Sequence, residues 1–250
     1  MNANDLHADS GLVNAIRERY SSVTASIRVA ERAAGRASGS VRLVVVTKTH
    51  PAATVRAAIA AGALELGENY VEEALEKMGE IGRVEGLHWH MIGHVQSRKA
   101  EQVAGSFQTV HSVDSLKLAV RLDRFAGEAG TRLPVLLEVN VSGEDSKFGY
   151  AAWNEGLWQA WDPEIERLAA LPNIEIRGLM TMPPFADEAE ASRPFFEKMA
   201  ALQAYLVQQH PQVAWKELSM GTSMDYVVAV ETGATIVRVG TAIMGARDKV

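Results

Sequence analysis

The chain has 250 residues, a net charge of −6 and no cysteine. That length suits one large domain, residues 1–250, burying about 70–75% of the surface its unfolded chain would expose. The missing thiols exclude disulfides and thiolate metal sites, and no Lys/Arg cluster marks a nucleic-acid surface.

Residues 1–10 are polar, carry two aspartates and do not read as a secretory leader. No apolar run approaches the roughly 20 residues that a membrane helix needs. The expectation is a soluble cytoplasmic protein with neither a nucleic-acid nor a membrane partner.

In chain order, Leu12, Val13, Ile16, Tyr20, Val23, Ile27 and Val29 recur at mostly helical spacing and predict an amphipathic helix over 10–34. Gly35 and Ser38-Gly39-Ser40 end it. Residues 41–48, VRLVVVTK, form a near-continuous apolar run, the pattern of a strand buried on both faces. His50-Pro51 stops the strand, and helical character resumes at 52.

A second strand, 63–66, runs into Gly67-Glu68-Asn69-Tyr70 and a helix to about 81. A third, 87–92, is closed by Gly93 and followed by a helix over 95–103. The fourth covers 107–111, with Asp114 as the expected N-cap of a helix over 115–128. The fifth, 134–141, leads through a Gly/Ser/Asp loop into a helix that Pro163 interrupts. The sixth, 174–180, precedes a long helix over 189–209. The seventh is 215–218, followed by the loop 219–223 and a short helix, and the eighth is 234–239.

Eight strand-then-helix units predict an α/β fold, a single (β/α)8 TIM barrel with the first helix as an extra element covering its outside or one end. No segment has the G-x-G-x-x-G spacing of a dinucleotide site.

Such barrels place their chemistry at the carboxyl ends of the strands. Lys48 stands at the end of the first. An amine desolvated there loses basicity and becomes a nucleophile toward aldehydes, of which pyridoxal phosphate is the commonest held by proteins; the plain alternative is a solvated lysine. The loops after strands seven and eight carry Ser219-Met220-Gly221-Thr222-Ser223 and Gly240-Thr241, hydroxyls and glycines at two expected helix starts. Capping explains either loop alone, whereas the two together on adjacent strands point to a shared phosphate site. If Val237 and Val239 face outward, Arg238 faces into the barrel and needs a partner, either a pyridine nitrogen or an inward carboxylate such as Glu138.

Seven segments resemble one family throughout their order: VVVTKTHP (44–51), LGENYVEE (66–73), WHMIGHVQSRK (89–99), LEVNVSGEDSKFG (137–149), RGLMTMPP (177–184), LSMGTSMD (218–225) and IVRVGTAIMGAR (236–247). They are similar to the pyridoxal phosphate homeostasis proteins, whose fold is that of the N-terminal domain of bacterial alanine racemase. The resemblance implies that Lys48 holds pyridoxal 5′-phosphate (PLP) as a Schiff base. It also implies that Asn69 lies beside the cofactor, that Ser223, Gly240 and Thr241 hold its phosphate with Ser219 and Gly221 close by, that Arg238 faces the ring nitrogen and that Met220 lines the ring's surroundings. One departure is Gly93-His94-Val95-Gln96, where the family usually has Gly-Pro-Leu-Gln. The implied function is vitamin B6 homeostasis: PLP is buffered and delivered to PLP-dependent apo-enzymes, without efficient catalysis.

Two rival functions are open to the same residues. His88 and His90 share a strand face and, with His50 and His111, could ligate zinc in a barrel hydrolase; packing against Trp89 and the core is the plainer reading. A racemase needs an acid/base group on each face of its substrate. Lys48 supplies one, and the chain ends soon after its eighth strand, so the all-β domain that brings the racemase its tyrosine is not expected. Tyr70 and Tyr226 are the local candidates, with Tyr70 read as packing. Glu72-Glu73 and Glu144-Asp145 read as solvated faces. Lys147, on the loop at the barrel mouth, reads as a solvated cation able to attract a phosphorylated ligand.

Overall fold

The computed structural model describes residues 9–246. The expectation about a leader and the last residue of the final matching segment lie outside the described residues.

Helix α1 (Ser10–Ala33) precedes strand β1 (Arg42–Val46). Its first N–H groups are capped by Asp9, whose carboxylate accepts from Gly11 N at 2.9 Å. Ile16, Val23, Ile27 and Ala30 form its buried stripe. The helix lies on the outside of the barrel and is tied to it by polar contacts. Buried Glu31 accepts from Gly39 N at 2.9 Å and from Val41 N at 2.8 Å, which fixes the entry to β1. Arg19 Nε donates to Ile243 O at 2.6 Å, close to the last strand's end.

The remaining elements alternate. They are α2 (Ala52–Ala60), β2 (Glu65–Glu68), α3 (Val71–Ile81), β3 (His88–Met91), α4 (Ala100–Ser106), β4 (Thr109–Val113), α5 (Leu116–Glu128) and β5 (Leu133–Asn140). A two-residue strand, β6 (Tyr150–Ala151), then leads to α6 (Asp162–Ala169), β7 (Ile174–Thr181), α7 (Arg193–Gln209), β8 (Glu217–Ser219), α8 (Tyr226–Glu231), β9 (Ile236–Val239) and α9 (Thr241–Met244). Every pairing is parallel, and β1 pairs with both β2 and β9 while β4 pairs with β5, so the sheet closes. Eight strands make the barrel; β6 is an extra pairing on the edge of β5. No described helix is long and apolar enough to cross a membrane.

Local chemistry shifts several expected boundaries. Ser115, not Asp114, caps α5, its hydroxyl accepting from Leu118 N at 3.4 Å. Pro163 starts α6 instead of interrupting it, because proline at the first turn removes an N–H that has no partner there anyway. Pro194 does the same for α7. The β2 pairing runs to Glu68, two residues beyond its expected end.

Alternation along the strands divides their side chains between two cores. Val45, Leu66, Met91, Val110, Leu137, Leu218, Val237 and Val239 face outward into the large core under the helices. Val44, Leu136, Met180 and Ile236 form a small separate cluster inside the barrel. The rest of the interior is polar, with His90, His111, Ser219 and Arg238 each at most 3% exposed.

Candidate functional site

Lys48 lies two residues past β1, on the same side as Val44 and Val46, and so turns inward. It is half-buried and lines a cavity of about 320 Å³ at the carboxyl ends of the strands. That is the lower end of the range for small-ligand sites.

The backbone around Lys48 is held from outside the barrel. Thr49 has φ 64°, the only positive φ among the described non-glycine residues. A β-branched residue there stores on the order of 1–3 kcal/mol of strain. Its N–H donates to Glu73 Oε1 at 2.5 Å. On the other side, Thr47 Oγ1 donates to Glu68 Oε1 at 2.6 Å. Lys77, 5% exposed, donates to Thr47 O and to Glu68 Oε1, each at 2.8 Å, and pairs with Glu73 at 2.6 Å. Both neighbours of Lys48 are thereby fastened to α3. Burial pushes the Glu68 carboxyl up, although Lys77 and Thr47 oppose the shift. Glu73 is therefore not the solvated face expected of it, while Glu72 remains on the surface with Lys99.

Arg238 faces inward, as expected from the outward packing of Val237 and Val239, and lines the same cavity. Its guanidinium donates to Ser219 Oγ at 2.6 Å, to Thr181 O at 2.8 Å and to Met182 Sδ at 2.9 Å. Burial lowers its pKa to about 10, while the charges of Asp225 and Glu138 oppose the shift. Glu138 is half-buried, with one carboxylate oxygen enclosed and without a hydrogen-bond partner. Its burial and Asp114 push its pKa to about 7 against the pull of Arg238 and Lys147.

The phosphate candidates come together on one side. Ser223, Gly240 and Thr241 line the cavity with Asn69. Ser223 Oγ accepts from Gly240 N at 3.2 Å and from Ala242 N at 3.3 Å, so two backbone donors converge on one hydroxyl. The adjoining helices α8 and α9 span only six and four residues, too short to add much dipole, so the donors themselves carry any anion affinity. Thr222, also on the wall, is fixed by its N–H donating to Asp225 Oδ1 at 2.7 Å.

Three expected site residues sit behind the wall. Met220 is fully buried in the outer core, because it alternates with inward Ser219. Ser219 is likewise fully buried, beneath Arg238. Gly221, with φ 92°, places its backbone so close to α8 that an added Cβ would lie 2.5 Å from Ala229 Cβ. Sequence reading missed Val46, Ile92, Met182 and Met224, the apolar part of the wall. Their strand parity was the signal available for Val46 and Ile92.

The histidines do not assemble as a metal site: no group of three or more metal-type side chains that could hold an ion occurs among the described residues. His90 Nδ1 lies 3.0 Å from His111 Nε2, and His90 Nε2 lies 2.5 Å from Glu65. His88, at the opposite end of the barrel, is exposed and 3.3 Å from Glu65, not packed in the core. His94 stacks on Phe148 with centroids 4.0 Å apart and pairs with Asp114 at 3.1 Å. Tyr70 is 55% exposed at the rim, where packing had been expected.

Known proteins resemble this chain in sequence and fold. Residues 21–248 match the family described as "Alanine racemase, N-terminal domain". A Pseudomonas aeruginosa protein named "Pyridoxal phosphate homeostasis protein" is 44% identical over 237 residues, 94% of this chain and 97% of that protein. The structure of PipY from Synechococcus elongatus PCC7942 with PLP bound is 38% identical, has a TM-score of 0.79, and is covered over 100% of its length by 92% of this chain. Alanine racemase of Clostridium difficile 630 shares the fold at a TM-score of 0.68 and 19% identity, with 59% of that chain covered. A closed parallel barrel, an inward lysine after its first strand and near full-length identity to these relatives agree: the chain belongs to the pyridoxal phosphate homeostasis protein family, built on the alanine racemase N-terminal fold.

Proposed function

We propose that this chain holds pyridoxal 5′-phosphate reversibly at Lys48 and acts in vitamin B6 homeostasis. The observation that carries the reading is one cavity wall that unites an inward amine, a buried guanidinium and two converging backbone N–H donors. The residues fit the cofactor chemically. An anionic phosphate suits the Gly240 and Ala242 donors with the Ser223 hydroxyl, an aldehyde suits the Lys48 amine, and an aromatic ring suits Ile92, Met182 and Met224. When bound, the cofactor supplies a carbonyl open to reversible attack by a neutral primary amine.

The chain's own residues define the rest. Lys77, Glu68 and Glu73 hold the backbone that presents the Lys48 Nζ. Arg238 keeps a full positive charge at the wall, which disfavours a proton on any ring nitrogen placed against it. A ring nitrogen left unprotonated is a weaker electron sink for chemistry at an α-carbon.

Delivery to apo-enzymes is the finer part of the proposal. Tyr70, Phe148, Met182, Phe185 and Met224 all lie on loops at the strand carboxyl ends and are exposed, Phe185 by 85%. An apolar rim around a ligand mouth favours protein contact during hand-over.

The test is borohydride reduction of the PLP-loaded protein followed by mass spectrometry. Expected is a single adduct on Lys48, and Lys48→Ala retains its fold but takes up no fixable cofactor. An adduct of equal yield in Lys48→Ala would overturn the assignment. Hand-over is checked by reactivation of a PLP-dependent apo-enzyme in the presence of a trap for free aldehyde.

A further inference from the structure

Five side chains from five strands form one hydrogen-bonded file through the barrel interior. Arg238 on β9 donates to Ser219 Oγ on β8 at 2.6 Å. Ser219 Oγ is 2.8 Å from His111 Nδ1 on β4. His111 Nε2 is 3.0 Å from His90 Nδ1 on β3, and His90 Nε2 is 2.5 Å from Glu65 Oε2 on β2. Four of the five are nearly or fully buried; Glu65 reaches solvent at the barrel's opposite end.

With neutral imidazoles, the carboxylate at one end sets the direction of every bond. A guanidinium has no acceptor, so Ser219 Oγ must accept from Arg238. Ser219 Oγ keeps a second lone pair, so that contact alone does not place its proton. The proton goes to His111 Nδ1 because the acceptor-only Glu65 carboxylate takes the His90 Nε2 proton, and neutral imidazoles then leave each Nδ1 as the acceptor. His111 must carry its own proton on Nε2 and donate to His90 Nδ1, and His90 in turn carries its proton on Nε2 and donates to Glu65. In that arrangement both imidazoles are neutral, the cation stands at one end and the carboxylate at the other, and each bond polarises the next. Burial first, and with it the charges of Arg238 and Arg42, hold the His111 pKa well below its ordinary value. Burial raises the Glu65 pKa, but the His90 hydrogen bond and the nearby Arg42 charge outweigh it and lower the pKa overall.

We infer that His111, oriented through His90 and Glu65, is a positioning residue that uses the Ser219 hydroxyl to set the pose of Arg238 against the bound cofactor. This rests on the cofactor reading above. Without His111 the Ser219 hydroxyl loses its fixed rotamer, and Arg238 keeps only Thr181 O and Met182 Sδ as fixed anchors. The same five side chains allow a second proton arrangement. One proton added at the Glu65 end makes His90 a double donor, reverses the His111 tautomer and leaves the Ser219 proton without a place in the file. The charged groups bearing on that step are Arg42 and Arg238, which oppose it, and Glu65 with its neighbour His88; Glu217 partly offsets Arg42 at 3.6 Å.

Two measurements test this. Nitrogen-15 NMR of the imidazoles in the cofactor-free protein should show both His90 and His111 as neutral Nε2–H tautomers; a His111 proton on Nδ1 overturns the file's direction. Visible absorption and PLP affinity of the loaded protein are then followed from about pH 6 to 8, the range in which histidine switches. His111→Phe is expected to shift the spectrum and weaken PLP binding about tenfold. His111→Gln, which still offers an acceptor and a donor, should restore most of the affinity. Ser219→Ala cuts the same file with less change in volume and should reproduce the His111→Phe spectrum, even if His111→Phe folds poorly. Wild-type spectra in Ser219→Ala, or equal defects in His111→Gln and His111→Phe, overturn the inference while leaving Lys48 capture intact. Failure of the wild type to form any borohydride-fixable adduct overturns both readings.

Discussion

Two buried polar networks flank the cavity and do opposite kinds of work. The one outside the barrel wall, Thr47–Glu68–Lys77–Glu73, is built on full charges and closes on the backbone either side of Lys48. The one inside, Glu65–His90–His111–Ser219–Arg238, carries charge only at its ends and closes on a side chain. A charged network resists displacement, because removing either partner strands a charge in a poorly solvated place. A file of neutral imidazoles and a hydroxyl can instead reorganise by moving protons. The backbone either side of Lys48 is thus held by charged contacts, while Arg238, the group proposed to face the cofactor ring, is held by neutral hydrogen bonds that moving protons can rearrange.

The sharpest way to break the comparison is Lys77→Met. It leaves Glu68 buried without its cation and should cost about 3–5 kcal/mol of stability at pH 8, less where Glu68 can protonate. Denaturant melts at two pH values read this directly, and a loss below about 1 kcal/mol would mean that the outer network is not holding the fold.

Glu138, beside the inner file's cation, gives a smaller effect with a definite sign. Its pKa rises from an ordinary 4.5 to about 7 on folding, so the folded chain binds the proton more tightly. Stability contributed by this group is therefore lost as pH rises from 4.5 to 7 and is level above that. With partial exposure allowed for, the loss is about 1–2 kcal/mol, and Glu138→Gln should abolish it in chemical melts at pH 5 and pH 8.

Ser223→Ala removes one hydroxyl from the phosphate side and frees its two N–H donors; PLP affinity should fall about fivefold, or ~1 kcal/mol, in a fluorescence titration. Smallest is Thr49→Gly. Relief of its positive φ offsets the entropy that glycine loses on folding, so melting should change by less than about 1 kcal/mol, while Lys48 capture slows as the turn loosens.

Much of the fold was legible because a parallel barrel strand buried on both faces has a distinctive apolar run. Val44-Val45-Val46 and residues 236–239 showed it, and strand parity alone turned Arg238 inward. The cavity lining was legible where motif and parity agreed, at Lys48, Asn69, Ser223, Gly240 and Thr241. It failed where parity contradicted a motif: Met220 belongs to a matching segment yet faces the helices. Glu73 and Lys77 were illegible for another reason. At i,i+4 on an amphipathic helix they resemble an ordinary surface pair, and only the approach of Thr47 and Glu68 converts the pair into a buried clamp.

Sequence by itself determined the period of each element, the order of eight strands and the presence of one amine at the end of the first, since all of these are local properties of side-chain size and polarity. Tertiary structure alone decided which polar groups meet. Closure of the sheet brings Glu65, His90, His111, Ser219 and Arg238 into one file, although Ser219 and His111 stand 108 residues apart. Burial then holds the two imidazoles and the hydroxyl to their neighbours in the file, which is a consequence of excluded water and not of any residue's own preference.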